Sequence, residues 1–97
     1  MNPEELCDLI GECGSERVEL DQHVFERARR RNLDVSGLED KILDCEFVEV
    51  RGNNRSDPRF EYSFRVKIRL ENRLAEVPIY FNVPGTKIVV RSIWRGD

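Results

Sequence analysis

The sequence predicts an α+β fold in which three helices pack on one face of a three- to five-stranded antiparallel sheet. Apolar residues recur at helical spacing in the first half of the chain and alternate with polar residues in the second half. Turn residues interrupt the second half at intervals typical of antiparallel hairpins. The 97 residues suit a single domain, with an extra amino-terminal helical segment at 1–15 and a core at 17–95.

The first helix is predicted over residues 3–13, and the sequence marks both of its ends. Asn2 is expected to cap the helix and Pro3 to occupy its first position. Gly14 is expected to end it in the left-handed conformation, before a short strand at 17–20. One apolar stripe follows the i, i+3, i+4, i+7 spacing and comprises Leu6, Leu9, Ile10 and Cys13.

Two more helices are predicted after the short strand. Asp21 is expected to cap the second helix, and Asn32 suits its left-handed end. Asp34 or Ser36 is expected to cap the third helix, with Glu39 completing a capping box after Ser36. The second helix has an apolar stripe of Val24, Phe25 and Ala28 and a separate basic stripe of His23, Arg27, Arg30 and Arg31. The third helix is expected to bury Val35, Leu38 and Ile42.

Four strands are predicted in the second half. The first covers 47–51, and a polar loop at 52–58 separates it from the second. The second strand, over 60–70, alternates apolar with charged residues, which predicts one buried face and one exposed basic face. Its buried face is expected to comprise Phe60, Tyr62, Phe64, Val66, Ile68 and Leu70. The third strand passes through 77–81, where Pro78 favours an edge or a bulge because proline cannot donate to a ladder.

The last strand is predicted over 87–94, after a type II turn formed by Pro84 and Gly85. Lys87, Arg91 and Arg95 alternate with apolar residues and so share one side of this strand. Tyr80, on the preceding strand, has the opposite parity to its apolar neighbours. We therefore expect Tyr80 to be exposed, where it could donate a hydrogen bond or stack on a base.

The net charge of −3 conceals a division between the two halves of the chain. Residues 1–50 contain 6 basic and 14 acidic side chains, a net charge of −8, whereas residues 51–97 contain 10 and 5, a net charge of +5. A basic surface is typical of proteins that meet phosphate. The acidic half could instead match the basic half within the molecule or bind a basic partner.

The cysteines and the amino terminus indicate a cytoplasmic protein that does not enter membranes. No apolar run approaches the roughly 20 residues that span a bilayer, and acidic residues stand where a secretory signal would be basic. Cys7, Cys13 and Cys45 lack zinc-ligand spacing, so we expect small buried hydrophobes without a disulfide. Neither a metal nor a cofactor is expected, because no glycine-rich phosphate loop or other ligand spacing is present.

The segment 20–43 resembles a known family. Its His23-x-x-x-Arg27-x-x-x-Arg31 pattern, followed by Leu33 and the apolar Leu38 and Ile42, resembles the helical half of the domain-of-unknown-function family 4258. That family is similar to a branch of the RelE/ParE-like toxin superfamily, which includes the BrnT-type toxins. The element order extends the resemblance over 17–95, with Asn32 where family members often have glycine.

The resemblance implies a small metal-independent endoribonuclease that acts on messenger RNA, often at the ribosome, and that an antitoxin silences. Superfamily members also include gyrase-directed toxins and proteins without demonstrated activity, so the fold alone does not choose the chemistry. The alternative is a non-catalytic RNA- or protein-binding domain on the same scaffold, as a monomer or a homodimer.

RNA cleavage without a metal needs acid–base groups and cations around the phosphate. His23 is the acid–base candidate, because it is the only histidine and histidine exchanges protons near neutral pH. Arg91 is the candidate catalytic cation, since it lies among apolar residues near the carboxyl end, where the superfamily often places its catalytic basic residues. The candidates for holding RNA phosphates are Arg27, Arg31, Arg65, Lys67 and Arg95. For each of these the alternative is a solvated or ion-paired surface.

Overall fold

A computed structural model describes residues 3–13, 17–53, 55, 57–84 and 87–97. In chain order the elements are α1 (Pro3–Cys13), β1 (Val18–Leu20), α2 (Gln22–Arg30), α3 (Leu38–Leu43), β2 (Glu49–Gly52), β3 (Tyr62–Arg69), β4 (Leu74–Phe81), β5 (Ile88–Val90) and β6 (Trp94–Arg95). The fold is therefore mixed α+β, with the predicted succession of helices and strands. Three predicted features lie outside the described residues: the Asn2 cap, the Gly14 terminus and the turn position of Gly85.

The sheet differs from the antiparallel sheet of up to five strands that the sequence predicts. It has six strands in the order β1-β5-β4-β3-β2, and β6 also pairs with β4. β1 runs parallel to β5, and the other pairs are antiparallel. A parallel pair needs a long connection, and everything from α2 to β4 lies between β1 and β5. The three-residue sequence of β1 does not indicate whether the strand pairs parallel or antiparallel.

The predicted last strand is divided into two. β5 pairs Ile79 with Val90, whereas β6 pairs Glu76 with Trp94, so one extra residue lies between the two ladders. Such an insertion is a β-bulge, which bends a strand and redirects its side chains. Pro78 lies opposite this break, in agreement with the expectation that proline favours a bulge.

The helix signals are confirmed at some positions and wrong at others. Asp21 caps α2 by accepting from the His23 backbone N–H at 2.9 Å, and Asn32 has a left-handed φ of 54°. Neither predicted cap of α3 is used: Gly37 precedes the helix, and Asp34 instead accepts from the Ser36 N–H. The Asp34 side chain does not cap α3 because it closes a tight turn over 34–36 instead.

The core lies between the helices and one face of the sheet, the inner face. The inner face comprises Val18, Phe64, Val66, Ile68, Ala75, Val77, Ile79, Phe81, Ile88 and Val90. The same cluster includes Leu6, Ile10 and Cys13 from α1, Val24 and Ala28 from α2, and Leu38 and Ile42 from α3. Each fully buried large aliphatic side chain contributes about 1.5–3 kcal/mol through the hydrophobic effect.

Two aromatic residues lie away from the predicted core. Phe25 is 47% exposed on α2, because Val24 and Ala28 already fill the narrow side of the helix that faces the sheet. Phe60 precedes β3, which begins only at Tyr62, and its ring contacts Tyr80 at 5.8 Å between centroids. Tyr80 belongs to the opposite, outer face of the sheet. The strand alternation therefore does not extend to Phe60.

A disulfide joins Cys7 of α1 to Cys45 at the end of α3, with 5.7 Å between the Cα atoms. The expectation of three reduced cysteines is therefore wrong for this pair. A separation of 38 residues does not indicate proximity, which results from the packing of α1 and α3 into one core. Cys13 is a buried thiol, as predicted, and its Sγ donates to the Asn82 carbonyl at 3.2 Å. Among the described residues there is no helix with the length and apolar character of a bilayer-spanning segment.

Replacement of both disulfide cysteines, Cys7→Ser with Cys45→Ser, is expected to lower the free energy of unfolding by about 4 kcal/mol. The disulfide closes a 38-residue loop and so restricts the unfolded chain. Urea denaturation with and without dithiothreitol measures the effect, and the double variant is the control that should not respond to reductant. A wild-type unfolding curve that reductant leaves unchanged would contradict the prediction.

Candidate nucleic-acid interface

The second helix begins at a fixed position on the sheet. The Asp21 N–H donates to the Val90 carbonyl at 2.9 Å, which joins the start of α2 to the end of β5. His23 follows in the first turn, and its imidazole is largely exposed, at 58%. The His23 Nδ1 lies 3.4 Å from Glu26 Oε2. The only histidine therefore lies on the helix surface beside one carboxylate.

Five arginines lie on α2, directly after it and on β6, and we call this set the α2–β6 basic cluster; Arg29 projects from the side of α2 opposite Arg27, because successive helical residues are about 100° apart. The members of the cluster are Arg27, Arg29, Arg30, Arg31 and Arg95. Contact between the two segments is direct, because Arg95 Nε donates to the Arg31 carbonyl at 3.2 Å. Within the described part of the chain, no carboxylate forms an ion pair with any of the five. Such a concentration of unpaired positive charge attracts polyanions.

Arg27, like Arg95, has its side chain held by hydrogen bonds to other parts of the molecule. The Arg27 Nη1 donates to Ser92 Oγ at 2.6 Å and lies 3.4 Å from the Arg91 carbonyl. Ser92 is buried and belongs to the bulge between β5 and β6. Because these contacts use one end of a guanidinium that has five N–H donors, the other donors stay available to a ligand.

Two residues of the predicted basic face of β3, Lys67 and Arg65, pair with acids from neighbouring strands. Lys67 Nζ lies 3.3 Å from Glu49 Oε2, and Arg65 Nη1 lies 3.8 Å from Glu76 Oε2. Arg51 also pairs with Glu76. Arg65 further covers the Trp94 ring, at 4.9 Å from its centroid. The outer face is therefore a network of ion pairs, and it offers RNA less free charge than the alternation of β3 predicts.

Arg91 lies on the same outer face, in a group that we call the Arg91 cluster: Asp57, Phe60, Tyr80 and Arg91. The Arg91 Nη1 donates to Asp57 Oδ2 at 2.7 Å. The Arg91 guanidinium lies 5.3 Å from the Phe60 ring centroid and 5.2 Å from the Tyr80 ring centroid. Asp57 also accepts from Arg59, at 2.8 Å from Nη2. Hydrogen bonds from Arg59, and then from Arg91, hold the pKa of the Asp57 carboxyl well below its usual value of 3.8.

Tyr80 is not the exposed residue that its parity predicts. It is only 9% exposed, because Phe60 and Arg91 cover its ring. Its hydroxyl accepts a hydrogen bond from Asn53 Nδ2 at 3.3 Å. The loop before β3 therefore folds over this part of the sheet, which a strand pattern cannot indicate.

The predicted site residues form two groups. His23 and Arg27 belong to α2, Arg31 follows its last residue, and Arg95 contacts the Arg31 carbonyl. Arg65, Lys67 and Arg91 have their side chains on the outer face. His23 has its side-chain contact with Glu26 and Arg91 has its contacts in the Arg91 cluster, so they do not touch. Arg27 joins the groups through the Arg91 carbonyl.

Two residues of these clusters, Arg29 and Asp57, are not among the site residues that the sequence predicts. The run of basic residues at 27–31 could have indicated Arg29, whereas nothing near Asp57 in the sequence indicates its contact with Arg91. In the described ranges, no group of three histidine, cysteine or acidic side chains is placed to hold a metal ion. Comparisons of the chain with protein-family models, with curated proteins and with solved structures find no match.

The Asp57–Arg91 contact predicts a specific pH dependence for the variant Asp57→Asn. Since the folded pKa of Asp57 is lowered, its ionised form stabilises the fold above the unfolded value of 3.8, and this contribution is lost as the pH falls through the folded pKa. We expect the variant to be less stable than wild type at pH 7 and the difference to shrink below about pH 4. Denaturation midpoints at several pH values measure this, and a pH-independent difference would contradict it.

Proposed function

We propose that this chain is an RNA-binding endoribonuclease of the RelE/ParE-like toxin type. Its substrate is messenger RNA in the cytoplasm, free or ribosome-bound, and a cognate antitoxin silences it. The α2–β6 basic cluster carries the proposal, because its five guanidinium groups have no carboxylate partner in the described ranges, while the other basic side chains of the predicted site are ion-paired. The resemblance of residues 20–43 to the toxin superfamily supports the same function.

Phosphate binding is assigned to the exposed members of the cluster. Arg29, Arg30 and Arg95 are exposed, and Arg31 is half-buried. A guanidinium can donate two parallel hydrogen bonds to one phosphate, which gives both affinity and orientation. Arg27, fixed by Ser92, places one further cation at a defined point of this surface.

His23 supplies the acid–base chemistry in this proposal. It precedes Arg27 by one helical turn, a spacing that brings their Cβ atoms to about 5–6 Å. In the tautomer with its proton on Nδ1, His23 donates to Glu26 and its Nε2 can accept a proton. Nε2 takes the proton of an RNA 2′-hydroxyl as that oxygen attacks the adjacent phosphorus. The bond from phosphorus to the 5′-oxygen breaks, the leaving 5′-oxygen takes a proton from solvent water, and a 2′,3′-cyclic phosphate is left. Arg27 and Arg31 stabilise the charge of the phosphorane.

Arg91 has a secondary place in this mechanism. Its guanidinium is bound by Asp57, so a phosphate would have to displace that carboxylate before Arg91 could contact it. Its main-chain carbonyl instead helps to hold Arg27. We therefore propose that the main role of Arg91 is to position Arg27, through the Arg91 main-chain carbonyl.

A non-catalytic RNA- or protein-binding role is the second candidate. The exposure of His23 favours it, because general acid–base and electrostatic catalysis are strongest where water is excluded. RNA binding would then use the same basic cluster, without cleavage.

Cleavage is tested in a translating extract, with cut sites mapped by primer extension. We expect discrete cuts from the wild type and a loss of about 100-fold or more in cleavage rate for His23→Ala, since a positioned general base contributes at least that factor. Arg55→Ala is the matched control, because Arg55 is an exposed arginine outside the cluster. Cuts that persist in His23→Ala would exclude His23 as the base, and a wild type that binds RNA without cutting it would favour the second candidate.

RNA binding is tested separately by the salt dependence of affinity for a single-stranded oligonucleotide. The double variant Arg29→Ala, Arg30→Ala is expected to bind more weakly and to reduce the slope of log affinity against log salt by about 0.7 for each lost phosphate contact. Arg55→Ala again serves as control and should keep the wild-type slope. Equal slopes for wild type and the double variant would remove the α2–β6 basic cluster from the interface.

A further inference from the structure

One edge of the sheet, β1, is covered by a side chain, and the other edge, β2, is exposed. At the β1 edge, the Val18 N–H donates to Glu39 Oε1 of α3 at 3.0 Å, so a side chain covers that edge. At the other edge, β2 pairs with β3 on one side, and no described strand pairs with its other side. Glu49, Arg51 and Gly52 are exposed. An edge of this kind is able to accept another strand.

The register shows which backbone groups of β2 are available. The Asn53 N–H donates to the Ser63 carbonyl at 3.4 Å, and Arg51 is paired with Arg65. Hydrogen-bonded pairs alternate along an antiparallel ladder, so Glu49 and Arg51 direct their backbone groups toward β3. Val50 and Gly52 therefore direct their N–H and C=O groups outward.

The charges of β2 are symmetric about Val50. Glu49 and Arg51 flank it, and their side chains are 46% and 53% exposed on the outer face. If a second copy of β2 lies antiparallel with Val50 opposite Val50, each Glu49 faces Arg51 of the second copy. In this register the two Val50 residues form a hydrogen-bonded pair. The outward N–H of each Val50 donates to the outward carbonyl of the other.

We propose that the β2 edge is a self-association surface, at which two copies of this chain pair antiparallel about Val50 to form one continuous sheet. Opposite charges facing each other across strands favour pairing, and like charges oppose it. The ion pairs within each copy extend the same network, since Glu49 also contacts Lys67 and Arg51 also contacts Glu76. A foreign strand lacks this two-fold match unless it has the same charge order.

The dimer is expected to be weak. A pair of four-residue strands buries less than the roughly 1,600 Å² of a standard stable complex, which places dissociation in the micromolar range or above. Sedimentation velocity of the full chain from about 10 µM to 1 mM covers this range. We expect the wild type to change from monomer to dimer as its concentration rises.

Charge exchange tests the register. Glu49→Arg alone, or Arg51→Glu alone, places like charges opposite each other at both symmetry-related pairs, and each is expected to weaken the dimer by about tenfold or more. An equimolar mixture of the two variants restores an opposite charge at both pairs and should form a heterodimer at least as tight as wild type. Lys87→Gln, on the β5 side of the sheet, is the control that should keep the wild-type dimer.

Amide hydrogen exchange in the wild type provides a readout that no variant can compromise. The amides of Val50 and Gly52 should exchange more slowly at high protein concentration, while the Val18 amide, which Glu39 already binds, should not change. A wild type that stays monomeric throughout, or exchange at Val50 and Gly52 that is independent of concentration, overturns the proposal. A folded mixture that fails to recover the dimer overturns the register.

Discussion

Pro78 removes a backbone donor from the middle of the sheet, and the neighbouring strand breaks at the same place. The break separates β5 from β6 by one extra residue. It gives Arg91 and Ser92 different surroundings: Arg91 extends over Phe60 and Tyr80 on the outer face, whereas Ser92 is buried and meets Arg27 from α2. The bulge thus connects the basic helix to the carboxyl-terminal segment, and the arrangement of the candidate interface depends on it.

The distribution of charge follows from how the sheet is paired. A lysine or arginine on a strand lies about 5 Å from the residue opposite it on the next strand, so one acid across the ladder can neutralise it. Glu49 does this for Lys67, whereas Arg65 lies opposite Arg51 and Pro78 and contacts the diagonal Glu76. On α2 the single acid, Glu26, contacts His23 and not an arginine, so the arginines of the helix keep their positive charge. This contrast explains why a binding surface for RNA is better placed on the helix than on the outer face.

The Cys7–Cys45 disulfide argues against the cytoplasmic location proposed above. Disulfides persist in oxidising surroundings and are rare in cytosolic proteins, where thiols are kept reduced. Leu6 and Ile10 bury α1 in the core independently of that bond. The packing of α1 therefore brings the two sulfur atoms together, and the bond then secures an arrangement that apolar burial already favours.

The sequence by itself determined the elements and most of the core, because hydrophobic periodicity and local caps are encoded within a few residues. Asp21, Asn32 and the alternation of β3 from Phe64 to Ile68 are examples. Only the tertiary structure decided the parallel β1–β5 pair, the disulfide and the partners of each basic residue. Each of these depends on residues distant in sequence, such as Asp57 with Arg91 or Arg27 with Ser92. A local sequence pattern does not indicate which distant side chain a residue will contact.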